Sequence, residues 1–427
     1  MEPLRTLFGE EATLLRETDF QLLLLANLTA PLGVAVMAAI LESLIDPLGA
    51  TPGNIGLMMS AFTAPAIVMI VVAGVLADRI GRKRVLVYSL LLFGTTGAAI
   101  AFTTDFEVAL VLRVVQGTAW GGLIPIIITS IGDLYDGTTE AAGQGFRFTG
   151  SGVSSALSPV AAGVLVAIAW QFPFLLYALA IPIAALVHRY FTEPSDAVGK
   201  SSQSARAYAS EMLSLVRRRR VLMFVVARAL GTMVWIAFLT YNSLIVVRLL
   251  GGTSVQAGVL AGIGSVCFAT AASQAGRITS VYDSRLVPLI VANLSLGGGF
   301  LVVLYAPGLA VAAVGIATLG LGFGVVLSLY RSLLTGVAPE SLRAGLVSVA
   351  ESGGRVMDTA TPLAMGALIT FLTPTLGFTG AIRLAGIGTA VVGGLGGVAC
   401  LLVASRSPPV DAEAWDDEAS SVPGDDA

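Results

Sequence analysis

The sequence predicts an all-α membrane protein: twelve transmembrane helices in two pseudo-symmetric six-helix bundles. Three observations predict it. Apolar runs of about 20 residues, enough to cross a bilayer core as a helix, recur along nearly the whole chain. Charged residues make up only 12% of the 427 residues, against about 25% in soluble domains, and mean hydropathy is +0.87. A set of small-residue landmarks also occurs twice at a near-constant spacing.

In chain order, residues 1–19 form a cytoplasmic N-terminal segment of mixed charge (Glu2, Arg5, Glu10, Glu11, Arg16, Glu17, Asp19). The apolar run that follows is too long for the core of a cleavable signal peptide, so the first span is expected to stay in the protein. Predicted spans are 22–45, 55–77, 83–103, 107–134, 144–168 and 170–190 in an N-terminal bundle (20–191). The second set is 220–247, 255–278, 285–305, 309–337, 344–371 and 379–404 in a C-terminal bundle (220–405). Between them lies a hydrophilic cytoplasmic linker, 192–219, containing Ser201-Ser202-Gln203-Ser204 and running into Arg217–Arg220. The tail, 406–427, is acidic and reads as disordered. Lysine is nearly absent (Lys83 and Lys200), and arginine carries the positive charge.

Two cysteines, Cys267 and Cys400, lie inside apolar runs, and His188 is the only histidine, so neither a disulfide framework nor a metal site is indicated. No phosphate-binding Walker pattern is present, which excludes ATP as the direct energy source. No cofactor and no nucleic-acid partner are expected.

The halves repeat. Gly56 matches Gly258, Gly74 matches Gly276, Gly117 matches Gly320, and Ser158-Pro159 with Gly163 matches Thr361-Pro362 with Gly366. The offset is about 202 residues and constant to within one residue. Parallel halves of this kind are the layout of transporters that rock two bundles about a midplane site. One set of loops holds Arg79, Arg82, Lys83, Arg84, Arg217–Arg220, Arg277, Arg285 and Arg343, while the alternate set holds Asp46, Asp105, Glu107 and Arg248. The positive-inside bias makes the first set cytoplasmic, and an even number of spans puts both termini inside a cell membrane.

The most distinctive stretch is Gly74-Val75-Leu76-Ala77-Asp78-Arg79-Ile80-Gly81-Arg82-Lys83-Arg84. It resembles the loop signature G-x-L-A-D-R-x-G-R-K-x of the major facilitator superfamily. Arg113-Val114-Val115-Gln116-Gly117 resembles that family's R-x-x-Q-G pattern. Gly145, Ser154, Ser158-Pro159 and Ala162-Gly163 are similar to the fifth-span pattern of its twelve-span drug/proton antiporters, with Ser or Ala in place of three glycines. In the first span Ala39 and Glu42 stand where that branch has prolines. The resemblance covers about residues 20–404 and implies alternating access, with proton-coupled efflux of small amphipathic compounds.

Physical roles follow for these residues. Gly74 permits close helix approach and Gly81 a tight turn. Asp78 is suited to cap a helix N-terminus, which the resemblance places at the eleventh span, in the opposite half. Arg79, Arg82 and Lys83 are suited to pair with helix-end acids such as Asp133, or with lipid phosphates, making a latch on the cytoplasmic side. The second half has Ser280 where the first has Asp78.

Charge inside a membrane is expensive and marks function by default. Arg113 is a structural arginine held by backbone carbonyls or, as the resemblance implies, part of proton coupling. Glu351, Arg355 and Asp358 share one face of the eleventh span, with Arg331 a candidate partner of Glu351 and either acid a candidate proton carrier. Glu42, near the outer end of the first span, is either substrate-facing or interfacial. Gly145, Ser154, Ser158, Pro159 and Gly163 are expected to serve helix packing. Asn27, Arg147, Arg228, Asn242, Gln274 and Asn293 are further polar residues within spans.

The sequence thus reads as a secondary active transporter, expected to act as a monomer on a small molecule and protons. Uptake of a polar or anionic solute is the alternative that the buried arginines suit. A non-transporting receptor or scaffold has no need of intramembrane charge, and an intramembrane enzyme would need a catalytic pairing that is absent.

Overall fold

Among the described residues of the computed structural model, ten helices are long and apolar enough to cross a membrane, and a bent pair, Leu57–Ile70 with Val72–Ile80, adds an eleventh. Residues 9–193, 205–282, 285–339 and 342–408 are described; the linker serines 201–202 and 204 and the acidic tail from 409 lie outside them. In chain order the spans are α1 (Thr18–Ile40), α2 (Leu57–Ile80), α3 (Arg82–Phe102), α4 (Phe106–Leu134), α5 (Gly137–Ile168) and α6 (Phe172–Tyr190). The second half has α7 (Arg219–Leu249), α8 (Ser254–Ser273), α9 (Leu286–Tyr305) and α10 (Leu309–Val337). The final stretch, Gly345–Ser405, is 61 residues long. As one rod it would run ~90 Å, about three bilayer cores. It divides at Gly377, whose φ of 67° and ψ of 168° are non-helical, just after Pro374. Residues 343–376 then form α11 and residues 378–405 form α12, which completes twelve.

The spacing places the fifth span at 144–168, but α5 starts a further two turns earlier, at Gly137. The hydrophilic linker also holds a helix, Ala205–Arg217, which packs on α7 and α11 through buried Met212 and Leu215. Its residues alternate at helical spacing, but too few are apolar to stand out beside the spans.

α1 is interrupted at Ala30–Pro31, because proline lacks the amide that would continue the helix. Neighbouring spans take up the carbonyls around the break: Trp120 Nε1 of α4 donates to Ala30 O (2.8 Å) and Ser154 Oγ of α5 to Leu28 O (2.7 Å). In a membrane each such group needs an internal partner.

The internal repeat is a repeat of contacts. Gly117 of α4 lies against the Phe62 carbonyl of α2, and its counterpart Gly320 of α10 against the Gly264 carbonyl of α8. Between the halves, Gly56 lies against the Pro362 carbonyl and Gly258 against the Pro159 carbonyl. Gly163 meets the Ser254 carbonyl, and Gly366 meets that of Gly53. A side chain at Gly117, Gly320, Gly258, Gly163 or Gly366 would enter another segment's backbone, and one at Gly56 would press on the Tyr241 hydroxyl, which donates to the Pro362 carbonyl (3.0 Å), so glycine is what lets α2 meet α11 and α5 meet α8.

Hydrogen bonds lock the same end. Asn242 Nδ2 donates to Ala38 O (3.0 Å) and Ala257 O (2.8 Å), tying α7 to α1 and α8. Ser43 and Ser254 hydroxyls meet at 2.8 Å, Ser60 Oγ donates to Thr359 O (2.8 Å), and the Thr63 and Thr359 hydroxyls meet at 3.0 Å. The upper part of α1, Leu32–Ile40, packs on α5 of its own half and also on α7 and α8 of the other, whereas the lower part, Thr18–Thr29, packs on α4, α5 and α6 of its own half. The halves are therefore joined at the Glu42 end and parted toward the basic loops.

Gly258→Val is expected to lower the thermal unfolding temperature of the detergent-purified protein, a loss of about 1–3 kcal/mol from overpacking. Gly145→Ala, whose added carbon meets open space, is expected to leave it unchanged or slightly raised. Equal melting of Gly258→Val and wild type would show that the contact is not a packing constraint.

Candidate functional site

The deepest charges lie where the two halves part. Counting 1.5 Å per residue from the helix ends at the basic side, Glu351 lies about 12 Å in, Arg228 about 13 Å, Arg147 about 15 Å, Arg355 about 18 Å and Asp358 about 22 Å. Arg228 of α7 is buried; it pairs with Glu351 Oε1 at 2.7 Å and donates to Ala350 O at 2.6 Å. Arg355 pairs with Asp358 at 3.5 Å, one helical turn along α11. The Arg355 guanidinium also lies 4.4 Å from the ring centre of Trp120, on α4 of the other half. Asp358 is adjacent to Thr359, which accepts from Ser60 and meets Thr63. The acid–arginine network thus lies next to a hydrogen-bonded contact that joins the halves.

Arg331 does not join Glu351 as the sequence reading expects. Arg228 takes that acid because α7 packs along α11 and brings Arg228 to the same depth. Arg331 is exposed, and its side chain has no hydrogen bond or ion pair among the described residues. Arg147 is 6% exposed; its Nε donates to Gln144 Oε1 (2.9 Å), and its guanidinium stacks 4.3 Å from the Phe148 ring centre.

Of the two readings of Arg113, the geometry matches the structural one. It is fully buried and donates to Met58 O (3.0 Å), Gly33 O (2.9 Å) and Gln116 Oε1 (2.7 Å), with Phe62 stacked at 4.1 Å. It has no carboxylate partner among the described residues. Glu42 pairs with Arg248 at 3.1 Å, and its amide donates to Ser243 Oγ, both across the joined end.

At the basic end, Arg82 pairs with Asp133. Gly81, at φ 96°, turns the chain into α3 against the Glu193 carboxylate, which accepts from the amides of Arg82 (2.6 Å) and Lys83 (3.1 Å). Lys83 Nζ donates to Phe191 O at 2.5 Å. Glu193 therefore supplies an N-terminal cap for α3 from more than 100 residues away, for which no local pattern exists. Arg79 and Asp78 are exposed, Asp78 has no partner among the described residues, and the start of α11 at Leu342 has no side-chain cap. In this conformation the expected bond between them is open. Ser280, the counterpart of Asp78, donates within its own helix to Arg277 O.

Two packing expectations are corrected. Gly74 and Gly145 face open space, because the halves have parted at their level. Gly163 meets the Ser254 carbonyl, Pro159 presents its own carbonyl to Gly258, and Ser158 Oγ donates to Ser154 O at 2.5 Å.

Comparison with known proteins agrees with this geometry. The sequence profile of the Major Facilitator Superfamily matches residues 23–357. The chain is 34% identical to the bacillibactin exporter of Bacillus subtilis (strain 168) over 154 residues, which is 34% of this chain and 38% of that protein. It is 26% identical to quinolone resistance protein NorA of Staphylococcus aureus (strain Mu50 / ATCC 700699) over 156 residues, 36% of this chain and 40% of NorA. The match thus spans about two-fifths of the length of these relatives. Among solved structures, a bacterial homologue of the human lysosomal transporter Spinster, in an inward-facing and occupied conformation, superimposes with a TM-score of 0.78. That alignment has 15% identity and covers 91% of this chain and 96% of the other, a likeness of fold. The twelve-helix repeat, the loop signature and the profile match together show that the chain belongs to the major facilitator superfamily.

Proposed function

We propose that this chain is a secondary active transporter that exports small amphipathic compounds from the cell in exchange for protons, by alternating access. The observation that carries the reading is the charge network of Arg228, Glu351, Arg355 and Asp358, which lies between two halves that are joined at one end only. Charge at such depth is expensive unless it serves transport or coupling. The efflux relatives favour export as the direction.

On this reading the positive-inside bias of the arginine-rich loops turns the parted end toward the cytoplasm, an inward-facing state with both termini on the cytoplasmic side of a cell membrane. The machinery lies within one copy of the chain, consistent with a monomeric unit. Asp358 is the favoured proton carrier. Its charge holds Arg355, which also contacts Trp120 across the cleft, and its neighbour Thr359 belongs to the joined end. Protonating Asp358 frees Arg355 and alters the contacts between the halves next to the closure. Glu351 plays the same part for Arg228 one layer below. In the return half of the cycle Asp78 reaches the uncapped start of α11 and latches the basic end.

In proteoliposomes with an imposed pH gradient, wild type is expected to couple dye flux to proton flux. Asp358→Asn is expected to lower coupled flux at least about tenfold, with a smaller loss in Glu351→Gln. If both variants keep full coupling, the proton carrier lies elsewhere.

Asp78→Asn is expected to slow transport and to increase labelling, by a membrane-impermeant maleimide, of a cysteine placed at Thr138 on the basic side. Wild-type transport together with wild-type labelling would remove the latch.

A further inference from the structure

A slot opens between α3 and α6 at the basic end, outside the cleft, with a volume of about 800 Å³. Small-molecule sites span about 300–1,000 Å³. Its walls are apolar: Val87 and Leu91 come from α3, Ala184 and Ala185 from α6. The two alanines leave the space, because α6 presents little bulk there. Its mouth is basic. Lys83 and Arg84 lie in the first turn of α3, and His188 lies in the last turn of α6. From Lys83 to Leu91 the slot follows about 12 Å of helix, most of the ~15 Å of hydrocarbon in one leaflet.

The positive charge at the mouth is not spent on the protein. Glu193, the acid beside the slot, already accepts from the amides of Arg82 (2.6 Å) and Lys83 (3.1 Å) in capping α3. Lys83 Nζ gives one of its three protons to Phe191 O, at 2.5 Å. Arg84 is exposed, and its side chain has no hydrogen bond or ion pair among the described residues. The rim is lipid-facing in character. Tyr88, one turn along from Arg84, is 63% exposed, and Leu92 and Leu186 are exposed beside it on the two helices. Tyrosine above a cationic turn is the side-chain order of a membrane interface.

We propose that the slot holds one anionic phospholipid of the leaflet on the basic side, its phosphate on Lys83 and Arg84 and an acyl chain between α3 and α6. The site stands whether or not the chain is an exporter. Arginine meets phosphate through paired N–H donors and lysine as a point charge. A zwitterionic headgroup brings its own ammonium against these cations, whereas a net-negative one does not. A free phosphate has no chain to fill the apolar slot. Gly81 and Glu193 also border the slot, at the base of the loop that carries Asp78 and Arg79. Occupancy therefore ties that base to α6 and restrains the turn at Gly81.

The test is native mass spectrometry of the full chain in an uncharged detergent, titrated with dioleoyl phosphatidylglycerol or dioleoyl phosphatidylcholine. Wild type is expected to take up one phosphatidylglycerol about fivefold or more tighter than phosphatidylcholine. Arg84→Gln, at an exposed position, is expected to lower phosphatidylglycerol binding about fivefold and to leave phosphatidylcholine binding as it was. Ala185→Leu fills the slot from its exposed side and is expected to weaken binding with every cation kept. Arg189→Gln, on the same turn of α6 but outside the slot, is expected to bind as wild type does. Excess inorganic phosphate is expected to leave the lipid in place. Equal affinity for the two lipids, or undiminished phosphatidylglycerol binding in either slot variant, would overturn the proposal. So would an equal loss in Arg189→Gln, the sign of diffuse surface charge, or displacement by inorganic phosphate, the sign of a free-anion site.

Discussion

The contact on which the structure depends is made by two glycines lying on two proline carbonyls. Gly56 of α2 rests on Pro362 of α11, and Gly258 of α8 rests on Pro159 of α5, each pair the pseudo-symmetric image of the other. At Gly258 no side chain separates the backbones, and at Gly56 only the Tyr241 hydroxyl stands beside the Pro362 carbonyl, to which it donates, so the halves come close there. The hydrogen bonds of Asn242, Ser60 and Thr63 and the Glu42–Arg248 pair gather around these contacts. Because the closure lies at one end, the other end is free to open.

The buried arginines divide by how their donors are met. Arg113 spends its donors on two backbone carbonyls and a glutamine, so it braces α1, α2 and α4. Arg228 and Arg355 are matched by acids on α11, within reach of the closure. Arg147 and Arg331 have no carboxylate partner among the described residues, and they stand on opposite halves. Bracing and the proposed coupling thereby fall to different arginines by the same criterion, the partner that each one has.

Much of this was legible in the sequence, and the reason differs by feature. The span pattern followed from hydropathy, and the division at Gly377 falls in the gap between the last two predicted spans because proline and glycine interrupt helices wherever they stand. The repeated landmarks marked the inter-half interface because close backbone approach demands glycine at fixed places. Partnerships were harder. Glu351 was matched with Arg331 from depth alone, while the fold presents Arg228 on the adjacent helix. Glu193 gave no signal, since its role comes from loop proximity rather than spacing. Gly74, Gly145 and Asp78 are idle here because the state is open on their side, and one sequence encodes every state of the cycle at once.

The central claim is that the two ends exchange places about the glycine–proline contacts. The most direct measurement is pulsed electron-spin distance spectroscopy on the full chain, with Cys267 and Cys400 replaced. One label pair sits at Thr138 and Ser280 on the basic side, and a second at Thr104 and Ala310 on the opposite side. Acid pH and added cargo are expected to shift the first distance shorter and the second longer in the same sample. A change at one end without its reciprocal at the other, or no change at either, would contradict the account.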